Sequence, residues 1–229
     1  MNSESSQYLS RGQSNHAMRS FVVASGLWGA WGQAIGFGTT AFTGFILYIG
    51  GNESIVALFT SLAYLLTLTQ LLSPFLSSKV RDKKRTIIAF GLIEILFRCA
   101  PILIYFLMPE DLRLFAIVAA ISISLFCGNL VGPIYSTWIS RAVPEGIRAR
   151  YTGKQTIVST IVAMVSGFAI GQFIDLTGED SRMVAFSWVF VFGTIFGLLG
   201  YFNLIRAPFP QTPDNESETA SIRDLMTPF

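Results

Sequence analysis

The chain alternates between long apolar stretches and short charged clusters. No Asp, Glu, Lys or Arg occurs from Ser20 to Asn52, from Ser54 to Ser78, from Leu114 to Ser140, from Gln155 to Ile174, or from Met183 to Ile205. Each interval holds the ~20 helical residues that cross about 30 Å of hydrocarbon. A further apolar stretch over 86–108 is interrupted by charge only at Glu94 and Arg98. The runs are continuously apolar and do not alternate with period two, so they predict helices, not barrel strands. The expected architecture is an all-α membrane protein with transmembrane helices at about 22–49, 55–78, 86–108, 113–139, 155–176 and 183–205.

Punctuation supports these boundaries. Gly50, Gly51, Asn52 and Glu53 separate the first pair of spans, and Pro109, Glu110 and Asp111 separate the third from the fourth. Residues 1–20 read as a polar tail and 21–206 as the six-helix domain. Residues 207–229, which include the acidic, Pro-containing run from Gln211 to Ser221, read as a linker.

Composition sharpens the class. Hydrophobic residues make up 52% of the chain and charged residues 13%, about half the charge of an ordinary soluble domain. The net charge of +2 is too small to argue for nucleic acid as a partner. The two cysteines, Cys99 and Cys127, fall within expected spans and form no paired motif, and the one histidine, His16, lies in the N-terminal tail. No metal site, cofactor or enzymatic activity is therefore expected. An intramembrane enzyme is disfavoured because the spans lack His and hold one acid, Glu94, before Asp175 at the boundary of the fifth.

The basic residues set an orientation. Arg11 and Arg19 precede the first span. Lys79, Arg81, Lys83, Lys84 and Arg85 lie between the second and third, Arg141, Arg148, Arg150 and Lys154 between the fourth and fifth, and Arg206 and Arg223 after the sixth. The other side carries only Arg113 and Arg182. The positive-inside rule then makes both termini cytoplasmic, in an integral membrane protein of the plasma (inner) membrane.

Several polar residues inside the spans are candidate functional groups. Glu94 and Arg98 are four residues apart and share a helix face with Gly91 and Pro101. Ionisable groups at that depth are costly and usually face a protein interior or a water-filled cavity. Glu94 is a candidate proton or cation site, with Arg98 holding it ionised or binding an anion; the alternative is a self-neutralising structural pair. On the first span Gly29, Gln33, Gly36 and Thr40 share a face, which makes Gln33 and Thr40 candidates for lining a pathway. Asn129 on the fourth span and Gln70 on the second are further candidates. For all four, interhelical packing and hydrogen bonding are the competing roles.

The loops carry a family resemblance. Between the second and third spans, Pro74 to Lys83 (PFLSSKVRDK) is similar to the loop pattern Gly-x-Leu-x-Asp-Arg-x-Gly-Arg-Lys of major facilitator superfamily transporters. Leu76, Lys79 and Lys83 match in kind. Pro74, Ser78, Arg81 and Asp82 depart from it. Between the fourth and fifth spans, Pro144 to Lys154 (PEGIRARYTGK) resembles the Pro-x-x-x-Arg-x-Arg-x-x-Gly form. The likeness extends over about residues 20–229 and is to the N-terminal six-helix half of that fold.

The resemblance implies a secondary transporter, or half of one, that moves a small solute by alternating access. It makes Lys79, Lys83, Arg148, Arg150 and Gly153 candidates for cytoplasmic gating, against the alternative that these loops set topology and meet anionic lipid. The implied partners are the bilayer, a small-molecule solute, and either a C-terminal six-helix half or a second copy of the chain. The alternative function is a non-transporting fragment or an assembly partner of another membrane subunit.

Overall fold

The computed structural model describes residues 9–210, and the expected linker beyond 210 lies outside them. The described chain is helical throughout: α1 (Arg11–Ile35), α2 (Thr40–Tyr48), α3 (Glu53–Thr67), α4 (Ser73–Lys79), α5 (Lys83–Leu107), α6 (Glu110–Ala142), α7 (Glu145–Asp175) and α8 (Arg182–Arg206). Five helical segments are long and apolar enough to cross a membrane, namely Glu53–Lys79, Lys83–Leu107, Glu110–Ala142, Glu145–Asp175 and Glu179–Arg206. The protein is an integral membrane protein.

The continuous first span expected over 22–49 is instead two helices. α1 starts within the expected tail, where Ser10 and Gln13 form a reciprocal capping box. It ends at Gly36, whose N–H still bonds the Gly32 carbonyl while its own ψ has turned extended. Gly38 then takes a φ of +72°, open to glycine at little cost. The Thr39 hydroxyl donates to the Gly36 carbonyl at 2.8 Å and accepts from the Phe42 N–H at 3.3 Å, capping α2. Gly-Phe-Gly-Thr is thus a built break.

The second span is interrupted more gently. Pro74 has no N–H to offer the Gln70 carbonyl, and the Ser73 N–H takes it instead. The chain tightens into a 3-10 stretch over Leu68–Leu72 between α3 and α4.

Two loops expected to be long are short. α6 runs to Ala142 and α7 begins at Glu145, so Arg148, Arg150, Gly153 and Lys154 sit on the first turns of a helix. The apolar pattern missed this because amphipathic first turns at a membrane surface are as charged as a loop. Likewise Lys79 ends α4 and Lys83 opens α5, with Asp82 capping α5 through the Arg85 N–H at 3.0 Å.

Packing follows small residues. α1 lies mainly against α7 and α8, α5 against α6 and α8, and α3–α4 against α6. Gly193, Gly197 and Gly200 on α8 receive Ala34, Trp31 and Trp28 of α1, and Ile95 of α5 also reaches Gly197. Between α1 and α7 the backbones nearly touch at Gly29. Counting α1–α2 as the first segment and α3–α4 as the second, these main contacts are unchanged when segments one, two and three are exchanged with four, five and six.

One polar clamp closes the end where α5 begins and α8 stops. Lys84 Nζ donates to the Ile205 and Ala207 carbonyls at 2.8 and 2.7 Å, filling acceptors left open by the end of α8. Trp138 donates to the Pro208 carbonyl at 3.1 Å and packs on Phe209. Lys84→Met keeps the stem but loses the charged donor, with an expected loss of about 1–2 kcal/mol. Thermal unfolding in detergent measures this, and an unchanged midpoint would remove the clamp from the stability account.

Candidate functional site

Glu94 and Arg98 occupy the middle turns of α5, and the i, i+4 spacing stacks them along one face. Their side chains are 13% and 7% exposed. Arg98 Nη2 approaches Glu94 Oε1 at 3.4 Å, a single long contact. Arg98 is held firmly elsewhere. Its Nε donates to Ser124 Oγ at 2.9 Å, and that hydroxyl in turn donates to the Glu94 backbone carbonyl at 3.0 Å. Among the described residues, the hydrogen-bond partner of the second Glu94 oxygen is the Tyr201 hydroxyl of α8, at 3.5 Å.

Two aromatic rings of the first segment complete the surroundings. Arg98 Cζ lies 4.4 Å from the Phe37 ring centroid and 5.3 Å from that of Trp31. A desolvated cation gains about 2 kcal/mol from such a ring. Phe37 is the residue between the two glycines of the break, so the break puts an aromatic face against the guanidinium. On the other flank, a Cβ added to Gly128 of α6 would stand 2.6 Å from Glu94 Oε1. The glycine therefore leaves the space the carboxylate occupies. Four segments converge on one ion pair: α1–α2, α5, α6 and α8.

The remaining candidates divide. Gln70 and Asn129 are brought together, with Gln70 Nε2 donating to Asn129 Oδ1 at 3.0 Å, while Asn129 Nδ2 bonds the Leu125 carbonyl. Gln33 packs over Gly167 of α7. Thr40 does not share its face, because the break separates them and leaves Thr40 exposed at the start of α2. Lys79, Lys83, Arg148, Arg150 and Gly153 collect at the end of the bundle where α5 and α7 begin. There Arg148 Nη2 donates to the Ser140 carbonyl at 2.7 Å and lies 3.9 Å from Glu145. Arg150 and Gly153 are exposed.

Ser124, Tyr201, Trp31, Phe37 and Gly128 were not legible as site residues. They lie on other elements, and only the fold brings them to Glu94 and Arg98. The Gly-Phe-Gly-Thr run was the available signal for Phe37. A second polar feature was also missed. Ser25, Trp28, Gln155, Thr156, Ser159 and Thr160 line a cavity of about 310 Å³ between α1 and α7, where Gln155 donates to Ser25. The buried Trp28 Nε1 has no hydrogen-bond partner among the described residues, and the Trp28 ring lies 4.9 Å from that of Tyr201 and 5.4 Å from that of Tyr135. Unpaired buried donors of this kind commonly hold water.

Among the described residues, no three His, Cys, Asp or Glu side chains come together as metal ligands. Comparison with protein-family models, with characterised proteins and with solved structures finds no match to this chain. The functional reading therefore rests on the geometry.

Proposed function

We propose that this chain is a six-helix unit of a secondary transporter that moves a small solute by alternating access, paired with a second six-helix unit in the same or another chain. The observation that carries the reading is the Glu94–Arg98 pair at the break between α1 and α2. Ionisable residues at membrane depth mark ion and substrate pathways, and discontinuous helices place backbone and side chains at midplane binding sites. The exchange relation among the six segments supports it. Successive spans alternate in direction, so exchanging the first three with the last three relates an inverted pair of three-helix repeats. Both loop resemblances to the major facilitator superfamily agree with that architecture. The basic-residue asymmetry supports cytoplasmic termini.

Hydroxyl and amide groups exposed within the spans have a place in this reading. Thr67 and Gln70 of the second segment, Ser136 of α6, and Thr156 and Thr160 of α7 are exposed, although each lies in a membrane-crossing segment. A water-filled route between two units would solvate them.

Cysteine accessibility tests this. With Cys99 and Cys127 replaced by alanine, single cysteines at Gln70, Ser136, Thr156 and Thr160 should react with a membrane-impermeant maleimide in intact cells or inverted vesicles. Cysteines at Leu96, Leu103 and Phe106, which are apolar and exposed on α5, should stay silent. Equal silence at both sets would leave no aqueous route, and favour an assembly partner without transport.

A further inference from the structure

The two members of the ion pair are held very differently. Arg98 is anchored through Nε to Ser124 and lies against Phe37 and Trp31. Glu94 is held loosely at both oxygens, by contacts of 3.4 and 3.5 Å, and is the more exposed of the two. The fixed element is therefore a cation, and the exchangeable one is its counter-ion. The Nη edge of Arg98, which touches Glu94 by only one long contact, is the edge that a guanidinium offers to a carboxylate in a two-bond fork.

Charge balance discriminates between net cations and net anions at this site. Ionised Glu94 and Arg98 sum to zero. Adding a cation leaves the buried site at +1, and adding an anion leaves it at −1, each a strong penalty in a medium of low dielectric constant. A proton on Glu94 removes the second penalty and frees the Arg98 edge in the same step. No comparable step admits a cation, because Arg98 cannot release its own proton.

We infer that the site takes a small organic carboxylate together with one proton: Glu94 is protonated from the aqueous phase, leaves Arg98, and the carboxylate replaces it on the Nη edge. The inference rests on the transport reading and specifies its solute and coupling ion. The groups facing Glu94 are consistent with its being the acceptor. α5 supplies Arg98, α8 the Tyr201 hydroxyl, and α6 the Cys127 thiol and Ser124; the first segment supplies only the Trp31 and Phe37 rings, at Arg98. Glu94 is the one carboxylate in the group.

The test is calorimetric binding to the full chain in zwitterionic nanodiscs, from pH 5 to 8 at constant ionic strength. The probes are formate, pyruvate and benzoate, set against methylammonium and choline. At least one carboxylate should bind the wild type, tenfold more tightly for each unit fall in pH while Glu94 is ionised, as one linked proton requires. Glu94→Gln, which imitates the protonated acid, should bind the same probe with no pH slope. The Glu94→Gln/Arg98→Gln double variant, neutral and so spared an unpaired charge, should not bind it. The inference is overturned if no carboxylate binds either the wild type or Glu94→Gln, if the slope persists in Glu94→Gln, if binding survives the double variant, or if the cations bind instead. Should these results fail while the Gln70 and Thr156 cysteines react from water, only the choice of solute and ion falls. Silent cysteines would remove the transport reading itself.

Discussion

Replacing Arg98 with methionine is expected to lower the thermal unfolding midpoint of the purified protein by on the order of 10 °C. Methionine keeps part of the aliphatic stem but removes the charge and the guanidinium that lies over Trp31 and Phe37. Glu94 would then be a carboxylate 13% exposed with one long contact left, to Tyr201. Removing one partner of a buried ion pair costs about 3–5 kcal/mol because the other is left uncompensated. In a protein of this size, that corresponds to a midpoint shift of roughly 6–20 °C. Glu94→Gln also leaves an unmatched charge, on Arg98, only partly compensated by Ser124 and both rings, so a loss of stability is expected there too. The Glu94→Gln/Arg98→Met double variant should recover most of the loss, because it leaves no unpaired charge. A cycle in which the double variant is as unstable as Arg98→Met would show that lost packing, and not the stranded carboxylate, sets the cost.

The second large effect is expected at Gly29. A Cβ there would stand 2.5 Å from the Ser159 carbonyl oxygen of α7. Backbone cannot rotate aside as a side chain does, so Gly29→Ala must push α1 and α7 apart. That opening spreads along the contact, since Gly26 meets Val158 and Val162 one turn earlier and Gln33 packs over Gly167 one turn later. Overpacking in a tight core costs about 1–3 kcal/mol, and more where backbone must move. Gly32, with nothing within 4 Å of an added Cβ, is the matched control on the same helix. Gly32→Ala should be neutral or slightly stabilising, through the better helix propensity of alanine. Equal midpoints for the two variants would mean that α1 and α7 do not approach this closely.

The Gly29 contact also bears on function. α7 touches α8 far less than either touches α1, so α1 is the element that ties α7 to α8, while α5 holds α8 independently. A displaced α1 would carry Trp31 away from Arg98. The structural cost at Gly29 and the chemistry at Glu94 are therefore coupled through one helix.

Hydropathy alone determined that the chain crosses a membrane repeatedly as helices. A stretch of ~20 apolar residues must satisfy its backbone polar groups internally, and a helix does so with no other chain segment. For the same reason the centres of five spans were legible, along with the i, i+4 stacking of Glu94 and Arg98, which is a local property of one helix. The break at Gly36 to Thr39 was obscured because Phe37 and the glycines keep the hydropathy of the run high, while the backbone turns on φ, ψ and a threonine cap. The loop before α7 was misjudged because surface charge marks depth, not conformation: Arg148 and Arg150 look the same in a loop or on a first helical turn.

Only the tertiary structure decided what the ion pair touches. Ser124 is 26 residues from Arg98 in the chain and Tyr201 is 107 from Glu94, and no local periodicity relates them. Helices in a bilayer gain little by hiding apolar surface from lipid, so their partners are chosen by close backbone approach and polar contacts. Those choices lie in where glycines of one helix meet side chains of another, as Gly128 meets Glu94 and Gly197 meets Trp31. The chain's membrane character and the presence of a buried acid and base are properties of its sequence. The anchoring of the base, and the looseness of the acid, come from the packing of α1, α6 and α8 around α5.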